Sequence, residues 1–315
     1  MSSAARVPKA VSEGRRSFRR GLWRLADPKI SLASMAGIFL GASAAARGGP
    51  LAPGWLVLTV AGIFAIEVAK NASGEIFDFD SGADLAVRQE ERTPFSGGKR
   101  VLVDGLLTRG QTKAIAFAGY VLGAAAGIAI ALFREPAVLL FGAAGVALAF
   151  FYHAPPARLS YRGWGEAAVA VTYGPLIVMG TEIVQRGRPS VPALLASLPL
   201  GLMIAAFLWV NELPDRRADE SAGKRTIVVR LGARRAARMF PAIVAAAFVF
   251  QALLPWLARV PGTALGMLGL PPAVAAALVL DGGRAGTARV ASAQALTLVS
   301  FLILAVAGGI GFFLV

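Results

Sequence analysis

Long apolar runs alternate with polar segments along almost the whole chain. Nine runs, at about 30–46, 52–73, 113–133, 136–153, 165–184, 190–211, 236–258, 263–280 and 289–315, read as helices. Each approaches the ~20 residues that a helix needs to cross a bilayer. The run at 263–280 is the weakest, because Pro271 and Pro272 interrupt it. The pattern also repeats. After the second run and again after the sixth, apolar residues give way to an asparagine, then to acids, then to a long polar loop, at about 71–112 and 211–235. Four helices, four more and a ninth make two repeats of the same orientation, because an even number of spans separates them. The fold class is therefore all-α, a polytopic membrane bundle of about nine transmembrane helices in two parallel four-helix repeats plus one. Residues 1–29 read as a basic arm and 30–315 as a single transmembrane domain. Gly119, Gly123 and Gly127, spaced by four, suit close contact between helices.

Composition agrees with this pattern. Of 315 residues, 56% are hydrophobic and the mean hydropathy is +0.64, which is outside the range of soluble domains. The chain has no cysteine, so disulfides, thiolate metal sites and cysteine nucleophiles are excluded. Its one histidine, His153, excludes a multi-histidine metal centre and reads as a structural residue at a helix end. The net charge of +14 would suggest nucleic acid in a soluble protein. Here its distribution points elsewhere. With the N-terminus in the cytoplasm, 26 of the 32 Lys and Arg residues fall on that side. Only Arg47, Arg134, Arg186, Arg188 and Arg259 fall on the other, and Lys70 lies near the end of the second helix. That is the positive-inside bias of a multi-pass protein of the cell membrane, with no nucleic-acid partner. The basic arm, which includes Arg6, Lys9, Arg19, Arg20 and Arg24, reads as disordered or interfacial and attracted to anionic lipid. No cleavable signal peptide is apparent in it.

The acids then change the picture. The first cluster holds Asn71, Glu75, Asp78, Asp80 and Asp84; the second holds Asn211, Asp215 and Asp219. Carboxylates at a membrane edge are costly unless they bind something, and cations are the obvious partners. Clustered oxygens suit Mg²⁺, and Mg²⁺ brings a diphosphate. Asn211, Asp215 and Asp219 are four residues apart, so on a helix they share one face. Pro214 disfavours a regular helix just before it, which leaves Asp219 on a less regular segment. Glu67, Asn71, Glu75 and Asp78 share a face of the second helix, while Ser81-Gly82 signals a turn before Asp84. Glu67 is the one acid well inside an apolar run and should face a cavity or a partner. Basic residues accompany each cluster: Lys99 and Arg100 after the paired Gly97-Gly98, and Lys224 and Arg225 after Gly223. Such glycines let backbone amides turn toward an anion. A third loop, Tyr152 to Glu166, carries Arg158 and Arg162 and can cover the same cavity.

These residues together resemble the UbiA superfamily of intramembrane prenyltransferases, and within it the 1,4-dihydroxy-2-naphthoate polyprenyltransferases of menaquinone synthesis. The segments that carry the resemblance are NASGEIFDFDSGAD, PFSGGKRVLVDGLLTR, PPARLSYRGWGE with the following YGPLIVMGT, and NELPDRRADESAGKRTIVVRLG. The resemblance implies a nine-helix bundle around a cavity open to lipid, with Mg²⁺ and a prenyl diphosphate held by the two acidic motifs. It assigns Asn71, Asp78, Asp84, Asn211, Asp215 and Asp219 to that work, with Glu75 as a further metal ligand. It makes Lys99, Arg100, Lys224 and Arg225 contacts of the diphosphate, with Asp78, Asp215, Lys99 and Arg225 the catalytic set. Tyr152, Arg158 and Arg162 belong to the covering loop. Relatives usually carry Asn where Gly74 stands, and often Asp where Glu75 stands. The implied reaction moves a polyprenyl group from an allylic diphosphate to an aromatic ring, best 1,4-dihydroxy-2-naphthoate. Other acceptors are 4-hydroxybenzoate, homogentisate, a chlorophyllide-like ring or a glycerol phosphate. A transporter or cation carrier is the reading from another class.

Overall fold

The computed structural model describes residues 9–280 and 286–314, so Arg6 of the basic arm, Arg284 and Val315 lie outside the described residues. Among the described residues every regular element is helical. Eight segments are long and apolar enough to cross a membrane, and a ninth apolar helix of 14 residues, α6 (Val138–Phe151), stands among them. The nine expected helices therefore all exist, although α6 alone is shorter than the ~20 residues that span a bilayer.

The helices that carry the acids run farther than hydropathy suggests. α3 (Pro53–Ser81) has 29 residues and α9 (Val191–Ser221) has 31, against sequence boundaries of 73 and 211. Backbone hydrogen bonding does not stop where apolar side chains stop, and no breaker intervenes until Gly82, at φ 81°. α9 also passes unbroken through Pro199 and Pro214, so Asp219 stands on the helix and not on an irregular segment. Each lost proline hydrogen bond is local, and the packed neighbours on both sides hold the axis. The consequence is functional. The acidic residues from 71 to 80 and from 211 to 219 ride on rigid extensions of two membrane helices, projecting up to ~15 Å beyond the apolar run at 1.5 Å per residue.

The same pairing recurs in the two halves. α3 packs chiefly on α5 (Arg109–Phe133), and α9 packs extensively on α11 (Ala233–Leu257). α2 (Pro28–Arg47) lies against α8 (Ile177–Arg186), and α13 (Thr287–Ile310) against the 3₁₀ segment Pro261–Gly269 and α12 (Leu270–Val279). Pro271 and Pro272 sit in the first turn of α12, where a missing N–H costs nothing. Before α8, a short helix α7 (Gly165–Val171) leads through one π-helical turn at Thr172–Leu176 that contains Pro175. The basic arm is ordered over Lys9–Ala26 as helix α1, which packs on α3. Its corner residue Asp27 and the loop after α3 meet over the end of the bundle, through the Lys99–Asp27 ion pair and an Arg24–Asp104 bridge of 2.6 Å. At the opposite end of the bundle, Arg134 donates to the carbonyls of Val184 (2.9 Å) and Gln185 (2.8 Å), satisfying the end of α8.

Of the three spaced glycines, two act at the α3–α5 contact. A side chain at Gly119 would meet the Ala65 carbonyl at 2.7 Å, and one at Gly123 would strike Ile66, whereas Gly127 faces open space. Gly119→Val therefore destabilises the detergent-solubilised protein by the ~1–3 kcal/mol typical of overpacking, read as a lowered thermal midpoint. Gly127→Ala leaves it nearly unchanged. Equal effects of the two would contradict the α3–α5 packing.

Candidate functional site

The extended ends of α3 and α9 converge on a polar cavity of about 620 Å³, closed by α1 and by the loop of residues 82–108. Lys224 is the tie between them. Its Nζ lies 2.9 Å from Asp78 Oδ1 on α3 and 3.5 Å from Asp219 Oδ1 on α9. Burial disfavours its charge, but the two carboxylates hold Lys224 protonated well above the ordinary lysine range. Tyr161 adds a phenol that donates to Asp78 Oδ1 at 2.9 Å, and the Lys224 ammonium stands 5.1 Å from the Tyr161 ring centroid.

The second motif is left with spare acceptors. The Gly97 N–H donates to Asp215 Oδ2 at 3.1 Å, from a turn in which Gly97 and Gly98 both adopt positive φ. Asp215 Oδ1 and Asn211 Oδ1 are buried without a hydrogen-bond partner. Buried acceptors are nearly always satisfied, so an orphaned pair facing a cavity marks a place for a cation or donor. On the other wall, Glu75 accepts from the Leu102 N–H at 2.9 Å. Asp84, on the single-turn helix α4 (Ala83–Ala86), is pushed up to about 8 by burial and by the neighbouring Asp78 and Glu75 carboxylates. Arg100 donates to the Asp84 carbonyl at 2.6 Å.

These carboxylates feel one another without closing on one point. Among the described residues no three Asp, Glu or His side chains gather as a preformed metal cage. A sparse set, Asp78, Glu75 and Asp84 on one wall with Asn211, Asp215 and Asp219 on the other, leaves coordination positions for water and phosphate oxygens. That is how Mg²⁺ is usually held, so the donors present fit it.

Most of the residues singled out in the sequence line this cavity: Asn71, Glu75, Asp78, Asp84, Lys99, Arg100, Tyr152, Asn211, Asp215, Asp219 and Lys224. Two of them have structural occupations as well. Asn71 donates to the Leu25 carbonyl at 2.8 Å, fixing α1, and Lys99 is paired with Asp27. Three expectations need correction. Arg225, Arg158 and Arg162 are exposed and do not line the cavity. The backbone of Arg225 is used instead, its N–H bonding the Tyr161 carbonyl at 2.9 Å, while Arg158 lies over the outer face of Tyr161 at 5.2 Å. The covering loop thus turns Tyr161 inward and its arginines to solvent. Asp80 likewise faces outward, bridged to Arg109 at 2.5 Å.

Sequence reasoning underrated other residues. Glu212 and Glu166 are buried beside the cavity, each with one unpartnered oxygen, and Glu166 is anchored through the N–H of Ile227, the first residue of α10 (Ile227–Leu231), at 3.0 Å. The position of Gly74 now has a physical reason. A Cβ there would lie 2.6 Å from the His153 ring, so the imidazole fills the space that a side chain at 74 would take. Burial keeps His153 down at about 4, hence neutral, with Nε2 3.8 Å from Asp78 Oδ2.

A second cavity, of about 610 Å³ and almost wholly apolar, adjoins the polar one between α3, α5, α6 and the α7–α8 helix. Lys70 and Tyr152 line both. The site is therefore a charged chamber opening into a greasy one, with two residues at the threshold.

Comparison with known proteins agrees with this geometry. The model of the UbiA prenyltransferase family matches residues 34–290. The 1,4-dihydroxy-2-naphthoate octaprenyltransferase of Mycobacterium tuberculosis (strain ATCC 25618 / H37Rv) is 30% identical over 234 residues, 73% of this chain and 75% of the relative. The enzyme of the same name from Bacillus subtilis (strain 168) is 24% identical, over 75% of this chain and 76% of its own. The apo structure of a UbiA homolog from Aeropyrum pernix K1 superposes with a TM-score of 0.65 at 20% identity, covering 87% of this chain and 96% of that one. A UbiA homolog from Archaeoglobus fulgidus bound to GPP and Mg²⁺ gives 0.61 at 16% identity, covering 91% and 99%. The chain therefore belongs to the UbiA prenyltransferase family, and is an enzyme that transfers prenyl groups rather than the transporter its membrane acids also allowed.

Proposed function

We propose that this enzyme transfers a polyprenyl group from an allylic diphosphate to 1,4-dihydroxy-2-naphthoate, with Mg²⁺, on the cytoplasmic side of the cell membrane. The observation that carries the reading is the junction of the two cavities. A prenyl diphosphate has the same division of chemistry, a multiply charged head joined to a long apolar tail. Its head suits the chamber lined by Asp78, Asp215 and Lys224, and its tail suits the one between α3, α5 and α6. The C–O bond that must break then lies beside Lys70 and Tyr152.

Bound Mg²⁺ would neutralise the diphosphate and so favour its departure. Asp78, Glu75, Asp84, Asp215, Asp219 and Asn211 are the residues that would hold it. Lys224 and Arg100 supply fixed positive charge where the leaving group gains negative charge. The Gly97 amide fixes Asp215, and Tyr161 fixes Asp78. The bond electrons leave with the diphosphate, and a ring carbon of the acceptor captures the allylic carbon. The ring regains aromaticity by losing a proton or, from a carboxylated carbon, CO₂. The apolar walls keep water from the cation. Sideways access from lipid lets the tail enter without crossing water. The orientation rests on the basic residues gathered at the polar-cavity end, in keeping with the positive-inside rule. The two relatives named for naphthoate support that acceptor over the other rings and glycerol phosphate.

Membranes containing the protein, supplied with Mg²⁺, geranylgeranyl diphosphate and 1,4-dihydroxy-2-naphthoate, yield a prenylated, decarboxylated naphthoquinol by mass spectrometry, and EDTA abolishes it. Product with 4-hydroxybenzoate but none with the naphthoate would overturn the acceptor. Asp78→Asn and Asp215→Asn each lower turnover about 10²-fold or more, because each removes charge that is needed as the diphosphate departs. Normal turnover in either would contradict the two-wall site.

A further inference from the structure

Glu67 and Lys70 are used by nothing described so far. Both are on α3, one turn apart, inside the membrane-spanning helix. Glu67 is 7% exposed and lines the apolar cavity. Its Oε1 accepts from the Tyr173 hydroxyl at 3.3 Å, and its Oε2 is buried without a partner. The hydroxyls of Ser31 and Ser34 reach toward it from α2, and each also has a backbone carbonyl to donate to, that of Ala26 and of Ser31 respectively. Lys70 stands at the threshold, its Nζ 5.5 Å from the Tyr152 ring centroid. Among the described residues that ammonium makes no hydrogen bond and no ion pair. An acid and an amine within an apolar span are costly, and here the two attract each other across one helical turn without closing into an ion pair.

We propose that Glu67 and Lys70 form the recognition subsite for the acceptor, and that they select a hydroxylated aromatic acid. This rests on the prenyl-transfer reading above. The acceptor ring must approach the carbon whose C–O bond breaks, and that bond lies between the two cavities, where Lys70 and Tyr152 stand. A diphosphate alone does not explain the pair. Lys224, Arg100 and Lys99 already give the polar cavity its positive charge, and a diphosphate offers no hydrogen-bond donor to the orphaned Glu67 oxygen. A hydroxy acid satisfies both members. Its carboxylate meets the Lys70 ammonium in a charge-assisted bond, and its hydroxyl donates to the orphaned Glu67 oxygen. The faces of Tyr152 and Tyr173 border the ring. Hydrogen bonding of the hydroxyl to a carboxylate also pushes electron density into the ring that must attack.

The test uses the full-length protein in lipid nanodiscs with Mg²⁺ and geranylgeranyl diphosphate. Two acceptors are compared, 1,4-dihydroxy-2-naphthoate and 1,4-naphthalenediol, which lacks the carboxylate. Wild type prefers the carboxylated ring. Lys70→Gln raises the KM for the naphthoate about 10- to 100-fold, the range of a lost charge-assisted bond, and erases the preference. The donor KM does not move, and Lys70→Arg restores most of the discrimination. A Lys70→Gln variant that keeps the preference, or that raises the donor KM instead, overturns the subsite. If Lys70→Gln does not accumulate in membranes, Glu67→Gln is read in the same way: a raised acceptor KM supports the subsite and an unchanged one overturns it. Wild type that prenylates neither ring overturns the reading of the enzyme itself, a result distinct from either.

Discussion

The structure depends on one electrostatic constraint: carboxylates from two membrane helices are brought to the same enclosed place. Asp78 comes from α3, Asp219 and Asp215 from α9, and Asp84 from the turn beyond α3. Like charges in a shielded chamber repel strongly and lose hydration. Lys224 offsets this at one point by bridging Asp78 and Asp219. It cannot serve them all, and Asp215 and Asn211 keep orphaned oxygens. The chamber is thus left short of positive charge, and that deficit is the drive for capturing Mg²⁺ with a diphosphate. The surrounding features follow from it. The acidic helices must be stiff beyond the membrane, α1 and the loop of residues 82–108 must close the end, and the apolar cavity must begin where the charge ends.

Much of this was legible in the residues, for identifiable reasons. The hydropathy runs located all nine apolar helices, because in a bilayer only helix formation satisfies the backbone. The two acidic motifs stood out because several carboxylates gather where an apolar run ends, where charge is costly. The boundaries were less legible. Hydropathy ends at 73 and 211, but backbone hydrogen bonding carries the helices to Ser81 and Ser221. Pro214 looked like a break because local preference says nothing of packing on either side. The arginines misled for a related reason. Arg158, Arg162 and Arg225 are near the site along the chain, yet their two loops turn inward at Tyr161 and at Lys224, and spacing alone does not reveal which neighbour points in.

Gly74 and His153 show how two local oddities can be one feature. Each is unremarkable alone, a glycine in a helix and a histidine after one. Together they fill a single volume, 79 positions apart, and neither choice makes sense without the other. Glu67 and Lys70 make the opposite case. Their spacing on α3 is visible in the sequence, but the unpartnered Glu67 oxygen and the unpaired Lys70 ammonium appear only when the neighbouring helices among the described residues are in place.

The central claim is that the two acidic helices bind one diphosphate through a shared divalent cation. It is tested most directly by the thermal midpoint of the purified protein with a non-reactive geranylgeranyl thiodiphosphate, in the presence of Mg²⁺ or EDTA. The account predicts a clear rise only when donor and Mg²⁺ are both present, since binding to the folded state alone stabilises it. An equal rise with EDTA would contradict it, because the head group would then be held by the protein's own cations without the carboxylates' metal.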